Sequence, residues 1–260
     1  MPIPDLIHLQ ALVPGFLLAL FRVAGLMLFA PLFGSTRIPR RVKFMLALAM
    51  TACMVTTLDF RHTRFPDDMT TMAVAMAGEM LLGVALGMIV SLTFIATQWA
   101  GEMVGQQIGF NMAQALDPQF GGGGSVVGDL YFMLTMAIFL IIGGHRVMID
   151  GIHQSLLTVP PGELLFSRDA LETVLHFITS STMLALRIAS PIFVTMLVVD
   201  VALGCLSKTM PQLNIMSAGM SMRSIIGLIV LIAGAAVTAS VIESSLGDSL
   251  LNLPTLWKKS

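Results

Sequence analysis

Four ionisable side chains stand inside otherwise apolar stretches of this chain: Arg22, Glu79, Arg187 and Asp200. A charge in an apolar segment is costly, so it faces a bundle interior, a subunit contact or a water-filled path. Two cations against two anions permit structural ion pairs between helices or between subunits. They equally permit a polar pathway or proton relay, and charge balance does not identify the partners. The histidines offer little more. His145 and His153 lie near a helix end, and their spacing differs from the i, i+4 of a helical zinc pair. Phosphate-binding glycine loops, nucleophile elbows and paired-cysteine motifs are all missing. Ser125 follows four glycines but has no base close by in sequence. Cys53 and Cys205 lie in apolar runs and read as small packing residues. The residues therefore suggest no enzyme, no cofactor and no metal.

The elements around these charges follow from composition. Of 260 residues, 56% are hydrophobic and 11% charged, against about 25% charged in ordinary soluble domains. Such a chain lacks the polar residues to cover a soluble surface, so it reads as an all-α integral membrane protein. Its net charge of −1 gives no basic surface for nucleic acid. Roughly six apolar segments are visible, where a crossing needs about 20 residues. They are Leu12–Phe33, Phe44–Leu58, Met69–Trp99, Leu130–Gly144, Met183–Leu206 and Ile225–Ile242. The first is too long for a cleaved signal peptide and is expected to be retained. A basic connector with Arg37, Arg40, Arg41 and Lys43 follows it. The second and fourth are too short to span and the third is too long. Positive residues in the connectors tie between the two sides, so the positive-inside rule gives no orientation. Broken or re-entrant hairpins held within a protein assembly account for both observations.

Two connectors carry their own pattern. From Ala100 to Leu116 helical periodicity continues, with Gly101, Gly105, Gly109 and Ala113 forming an i+4 row of small residues. Such rows let helix backbones approach closely, so this row is expected to pack on another helix. Pro118 ends the pattern and Gly121–Gly124 frees the chain. In the other connector, Ser167 is placed to cap a helix bearing Leu171, Val174, Leu175 and Ile178, leading directly into the fifth segment. The 21 methionines are ordinary fillers of apolar cores, and flexible enough to seal around a variable chain.

Longer motifs bring these elements into one pattern. Phe21-Arg22-Val23-Ala24-Gly25, Pro31-Leu32-Phe33-Gly34, Ile38-Pro39 and Val42-Lys43 open it. Glu79, Gly83 and Gly87 continue it, then Gly109-Phe110, Asp117-Pro118, Gly144-His145, Ser155 with Pro160, and Met210-Pro211-Gln212-Leu213-Asn214. In order and spacing this resembles the FliR/SctT family of type III secretion export-gate proteins, over nearly the whole chain.

The resemblance implies bent helical hairpins in a helical hetero-oligomeric export gate at the bacterial inner membrane, in the flagellar basal body. Residues 1–125 would form hairpins like those of the FliP-type partner, ending in a plug loop. Residues 126–260 would hold the remaining helices, including a FliQ-like hairpin over 185–245. The gate would conduct unfolded rod, hook and filament subunits, with proton motive force and an ATPase elsewhere driving transport. The resemblance maps the channel plug onto Gly109, Phe110, Met112, Leu116, Asp117, Pro118 and Phe120. It maps a partner-facing turn onto Lys208, Pro211, Gln212 and Asn214, near FlhB- and FlhA-type export proteins. Two features depart from the pattern: the run Gly121–Gly124, and Lys208 where arginine is frequent. An injectisome gate subunit of the same family and a stand-alone solute transporter are the alternative readings.

Overall fold

Uninterrupted runs of Leu, Met, Ala, Val and Ile satisfy their backbone only by closing it into helices, and the chain does so almost throughout. The computed structural model describes residues 4–34, 38–58, 68–110, 125–162, 168–209 and 215–256. Its helices are α1 (Pro4–Phe29), α2 (Arg40–Val55), α3 (Met69–Gln107), α4 (Val126–Ile141), α5 (Gly144–Thr158), α6 (Arg168–Thr209) and α7 (Ile215–Leu251). A 3₁₀ turn, Leu253–Leu256, follows. Among the described residues there is no strand. The all-α reading holds.

Among the described residues, α3, α6 over Glu172–Thr209 and α7 over Gly219–Leu251 are long and apolar enough to cross a membrane as single helices. Between α4 and α5 the helix breaks at Ile142 and Gly143. Gly143 sits at the break with φ 71°, in the left-handed region that favours glycine. Helix α1 runs for 26 residues, and its apolar part includes Val13–Phe29. The segments expected from sequence are thus present as helices, but not as six equal crossings. As expected, the helix starting in the connector after Pro160 runs without a break into the fifth segment, as α6.

Local chemistry sets the ends and irregularities. Asp68 starts α3: its carboxylate accepts from the Thr70 hydroxyl, and its carbonyl accepts from the Thr71 hydroxyl at 2.8 Å. The Thr70 hydroxyl and nearby backbone N–H groups hold the Asp68 carboxyl below its usual pKa, despite an opposing desolvation effect. Ser125 caps α4 by accepting from the Gly128 N–H at 3.3 Å, which gives this serine a structural task. Pro191, inside α6, has no N–H to offer the Arg187 carbonyl. The Ser190 hydroxyl donates to that carbonyl at 3.1 Å instead, so the helix continues.

By contact density the chain forms two units. The first comprises Met1–Leu92, Gly143–Ile178 and Gly247–Ser260; the second comprises Thr93–Ile142 and Thr179–Leu246. In the first, α1 lies directly on α3. A Cβ on Gly83 would run into the Arg22 carbonyl and reach the Leu26 nitrogen at 2.9 Å, and one on Gly87 would reach the Leu26 carbonyl at 2.8 Å. Gly25 of α1 meets the Val84 nitrogen in the same way at 3.0 Å. In the second unit Phe94 packs edge-on against Phe132 and Phe139, with centroids 5.6 and 5.5 Å away. The hydroxyls of Thr97 and Thr135 meet one turn further along at 2.9 Å.

Two expectations need correcting. Cys53 and Cys205 are both exposed on their helices, so neither is a packing residue within this chain. The connector helix after Pro160 was read from the apolar face of Leu171, Val174, Leu175 and Ile178. Its buried residue is Phe177 instead, while Leu175 and Ile178 are exposed, and Ser167 lies outside the described residues.

Candidate functional site

The charges of the first unit come together in one buried network. Arg22 on α1 and Glu79 on α3 have side-chain exposures of 1% and 2%. The Arg22 Nε donates to Glu79 Oε2 at 2.5 Å. Its Nη1 lies within hydrogen-bonding distance of three oxygens at the end of α5: the Ser155 carbonyl at 2.9 Å, the Ser155 hydroxyl at 3.1 Å and the Val159 carbonyl at 3.1 Å. The second oxygen of Glu79 accepts from the Gly162 N–H at 2.8 Å. Gly162 has φ 100° and closes the Pro160-Pro161-Gly162 turn.

Each partner has a physical reason to be there. The Val159 carbonyl lies past the last helical donor of α5. The Ser155 carbonyl keeps a second lone pair beside the one that accepts the Val159 N–H at 2.9 Å, and the negative end of the dipole favours a guanidinium there. Glu79 then neutralises the guanidinium and fixes the turn that follows. Arg22 reaches Glu79 because Gly83, one turn along α3, lets the two backbones touch. The network ties α1, α3, α5 and the turn after α5 into one piece. Nη2 of Arg22 is buried and has no hydrogen-bond partner among the described residues.

The other two intramembrane charges are placed differently. Asp200 of α6 pairs with Arg223 of α7, a residue the sequence reading had left outside the apolar segments. Arg187 is exposed on α6, between Leu186 and the Ser190–Pro191 step. Of the four charges, Arg22 and Glu79 pair with one another, Asp200 pairs elsewhere, and Arg187 faces outward. Ser155 and Gly162 belong to the network, although sequence reasoning gave them no role in it. The Glu79, Gly83, Gly87 row at i+4 was the signal for the α1–α3 contact, and it lay unused as a packing row.

The row of small residues at the end of α3 is cut short. The helix stops at Gln107, where periodicity suggested continuation to Leu116. Gly109 takes φ 85°, its N–H bonds the Gln106 carbonyl at 3.2 Å, and the Phe110 N–H reaches back to the Gly105 carbonyl at 3.0 Å. This is a Schellman ending, which satisfies carbonyls the helix would otherwise leave open. Of the row, Gly101 packs closely, since a Cβ there would lie 2.6 Å from the Val127 carbonyl. Gly105 is buried in the last turns, and Gly109 follows the helix. The Ile108 carbonyl accepts from the Ser224 hydroxyl of α7 at 3.0 Å. Phe110 is partly exposed.

Ala113, Met112, Leu116, Asp117, Pro118 and Phe120 lie outside the described residues, as do Pro211, Gln212 and Asn214. Lys208 is exposed in the last turn of α6. Among the described residues, no group of three or more His, Cys, Asp and Glu side chains could hold a metal ion. His153 is occupied with the Thr57 hydroxyl, 2.8 Å from its Nε2.

Long apolar helices, a helix break at a glycine and charges neutralised in pairs define an α-helical membrane protein. The model of the bacterial export proteins, family 1, matches residues 13–249. The chain belongs to this family, the FliR/SctT family that its motifs resemble. It is similar to the flagellar biosynthetic protein FliR of Bacillus subtilis, 27% identical over 237 residues covering 90% of each chain. The Escherichia coli protein FliR is 28% identical over 210 residues, covering 80% of this chain and 79% of its own. The surface presentation of antigens protein SpaR of Shigella flexneri is 25% identical over 238 residues, 88% of each chain.

Proposed function

We propose that this chain is a membrane subunit of the flagellar type III protein export gate in the bacterial inner membrane. Together with FliP-type and FliQ-type partners it forms the plugged channel for unfolded rod, hook and filament subunits. The observation that carries this reading is the family match over residues 13–249, with flagellar relatives aligned along most of their own length. Helices α6 and α7, apolar and largely uncovered by the rest of the chain, support a role inside an assembly. On this reading residues 1–125 take the FliP-like part and 185–245 form the FliQ-like hairpin. The turn with Lys208, Pro211, Gln212 and Asn214 meets FlhB- or FlhA-type export proteins, and the complex sits in the basal body.

The plug is assigned to the stretch from Gly109 to Gly124. Its described root supports the assignment: α3 closes in a Schellman ending, and Phe110 emerges partly exposed just beyond it. Deleting residues 109–124 is expected to leave assembly with the FliP-type and FliQ-type partners intact and to make the assembled gate leak ions. Co-purification and ion flux in sealed vesicles measure the two effects. Loss of assembly would make the loop structural and remove the plug assignment.

The match to SpaR favours an injectisome gate as the second reading, with the same physical role and a different cargo. Complementation separates the two: the flagellar reading expects this chain to restore motility in a strain lacking its flagellar counterpart, and not injectisome secretion. A stand-alone transporter using the intramembrane charges as a relay fits less well. Arg22 is bound to Glu79 and Asp200 to Arg223, so three of the four relay candidates are held in ion pairs.

A further inference from the structure

The basic connector after the first segment has no part in the gate reading. It leads into α2, whose first turn carries the exposed Arg40 and Arg41 and the half-buried Lys43. No ion pair among the described residues neutralises these three. Pro39 at the N-cap contributes no side-chain hydrogen bond, so the positive end of the helix dipole adds to their charge. Beside this basic turn a groove of about 260 Å³ opens between α1 and α2. Phe21, Ala24 and Leu28 line it from α1, and Phe44 and Ala47 from α2, with Lys43 as its one charged lining residue. The groove is therefore apolar along its length and cationic at one end.

We propose that this groove binds one acyl chain of an anionic phospholipid, whose phosphate rests against Lys43 and the first turn of α2. The polarity gradient is that of a lipid: a charged head at the connector end and an apolar tail running away from it. Lysine suits the boundary, since its stem lies along apolar surface while its ammonium reaches the headgroup layer. Val42, Phe44 and Met45 are exposed around the same turn. With its 16 residues α2 is too short to cross a bilayer, so it suits the interface between headgroups and tails.

The test uses the full chain in its native membrane, with the substitution Phe44→p-benzoylphenylalanine at the groove. Irradiation is expected to add the mass of one phospholipid, with phosphatidylglycerol or cardiolipin enriched over phosphatidylethanolamine. Adding Arg40→Gln, Arg41→Gln and Lys43→Gln should reduce the anionic adduct several-fold. Cross-linking to a polypeptide alone, or equal lipid classes with and without the three cations, would overturn the proposal. A second measurement reads the same site without the probe. The unfolding temperature should rise when phosphatidylglycerol is added to phosphatidylcholine micelles, and Ala24→Leu, which fills the groove, should abolish the rise. An equal rise in both proteins would also defeat it.

Discussion

Two ion pairs join helices among the described residues, and they sit in opposite surroundings. Arg22 and Glu79 have side-chain exposures of 1% and 2%, whereas Arg223 and Asp200 have 40% and 36%. Their helices differ in the same sense. Of the most apolar window of α3, 56% is buried within the chain, against 22% for α6 and 11% for α7. Hydrophobicity does not make this difference, because α7 has the highest mean hydropathy of the three, at 2.6. Small residues do. Where α1 meets α3, Gly25, Gly83 and Gly87 let backbones touch, while on α6 and α7 Gly204 and Gly234 face open space and Gly227 meets a side chain, that of Ile108, instead of a backbone. One region folds around its own charges, and the other presents apolar faces to lipid or to neighbouring subunits.

The largest effect expected from this contrast is at Glu79. Glu79→Ala leaves the Arg22 guanidinium buried without its counter-ion and frees the Gly162 N–H, at a cost of about 3–5 kcal/mol. Reversible unfolding in mixed micelles should show the loss, along with less chain in the membrane. Replacing both partners, as in Arg22→Met with Glu79→Leu, should recover much of it, since an apolar pair leaves no stranded charge. A double variant no better than the single one would mean that the pair does more than neutralise charge.

A second contrast compares two glycines under one substitution. Gly83→Ala drives a methyl into the α1 backbone and should cost about 1–3 kcal/mol. Gly234→Ala should be neutral or gain up to ~1 kcal/mol from helix propensity. Equal effects in the same unfolding assay would remove the argument that glycines decide which helices pack within the chain.

Much of this architecture was legible in the sequence, and the omissions have physical causes. Run length and charge content read as membrane helices, and the short fourth run signalled a helix that stops early, at the left-handed Gly143. Arg22 and Glu79 stood out because charges are rare in apolar runs, but their pairing needed helices far apart in sequence to be brought together. The Ser155 and Val159 carbonyls were invisible for a different reason: backbone acceptors exist at every position, and only the folded packing brings these two to Arg22. The small-residue row leaves helical geometry at Gly109, because an i+4 period does not reveal a left-handed φ. Arg223 escaped notice by standing at the edge of the last apolar run, within reach of Asp200 only once α6 and α7 lie side by side.

A smaller effect is expected in the second unit at Ser224, whose hydroxyl is shared between the Ile108 carbonyl at 3.0 Å and the Met220 carbonyl at 3.1 Å. Ile108 is fully buried, and its side chain rests where Gly227 of α7 has no Cβ to block it. Side-chain packing therefore holds the end of α3 together with the hydrogen bond. Ser224→Ala should cost about 0.5–1.5 kcal/mol. Limited proteolysis just after Phe110 should increase with it. Unchanged cleavage would show that packing at Gly227 alone anchors the end of α3.

The smallest effect should be at Asp200, where the comparison between the two pairs is tested most directly. Its carboxylate and Arg223 are each more than a third exposed, so solvent and mobile headgroups screen the attraction and compete for both ends. Asp200→Asn keeps the size of the side chain and should change the stability of the isolated chain by about 0–1 kcal/mol. A loss as large as that of Glu79→Ala would mean that partial exposure gives no screening here, and the contrast between the regions would fail. On the gate reading a different outcome is expected after assembly, because covering α6 and α7 with partner subunits desolvates the pair. Asp200→Asn should then weaken co-purification with those partners more than it weakens the chain itself. That difference, measured on one variant in two states, separates a charge kept for the fold from a charge kept for the assembly.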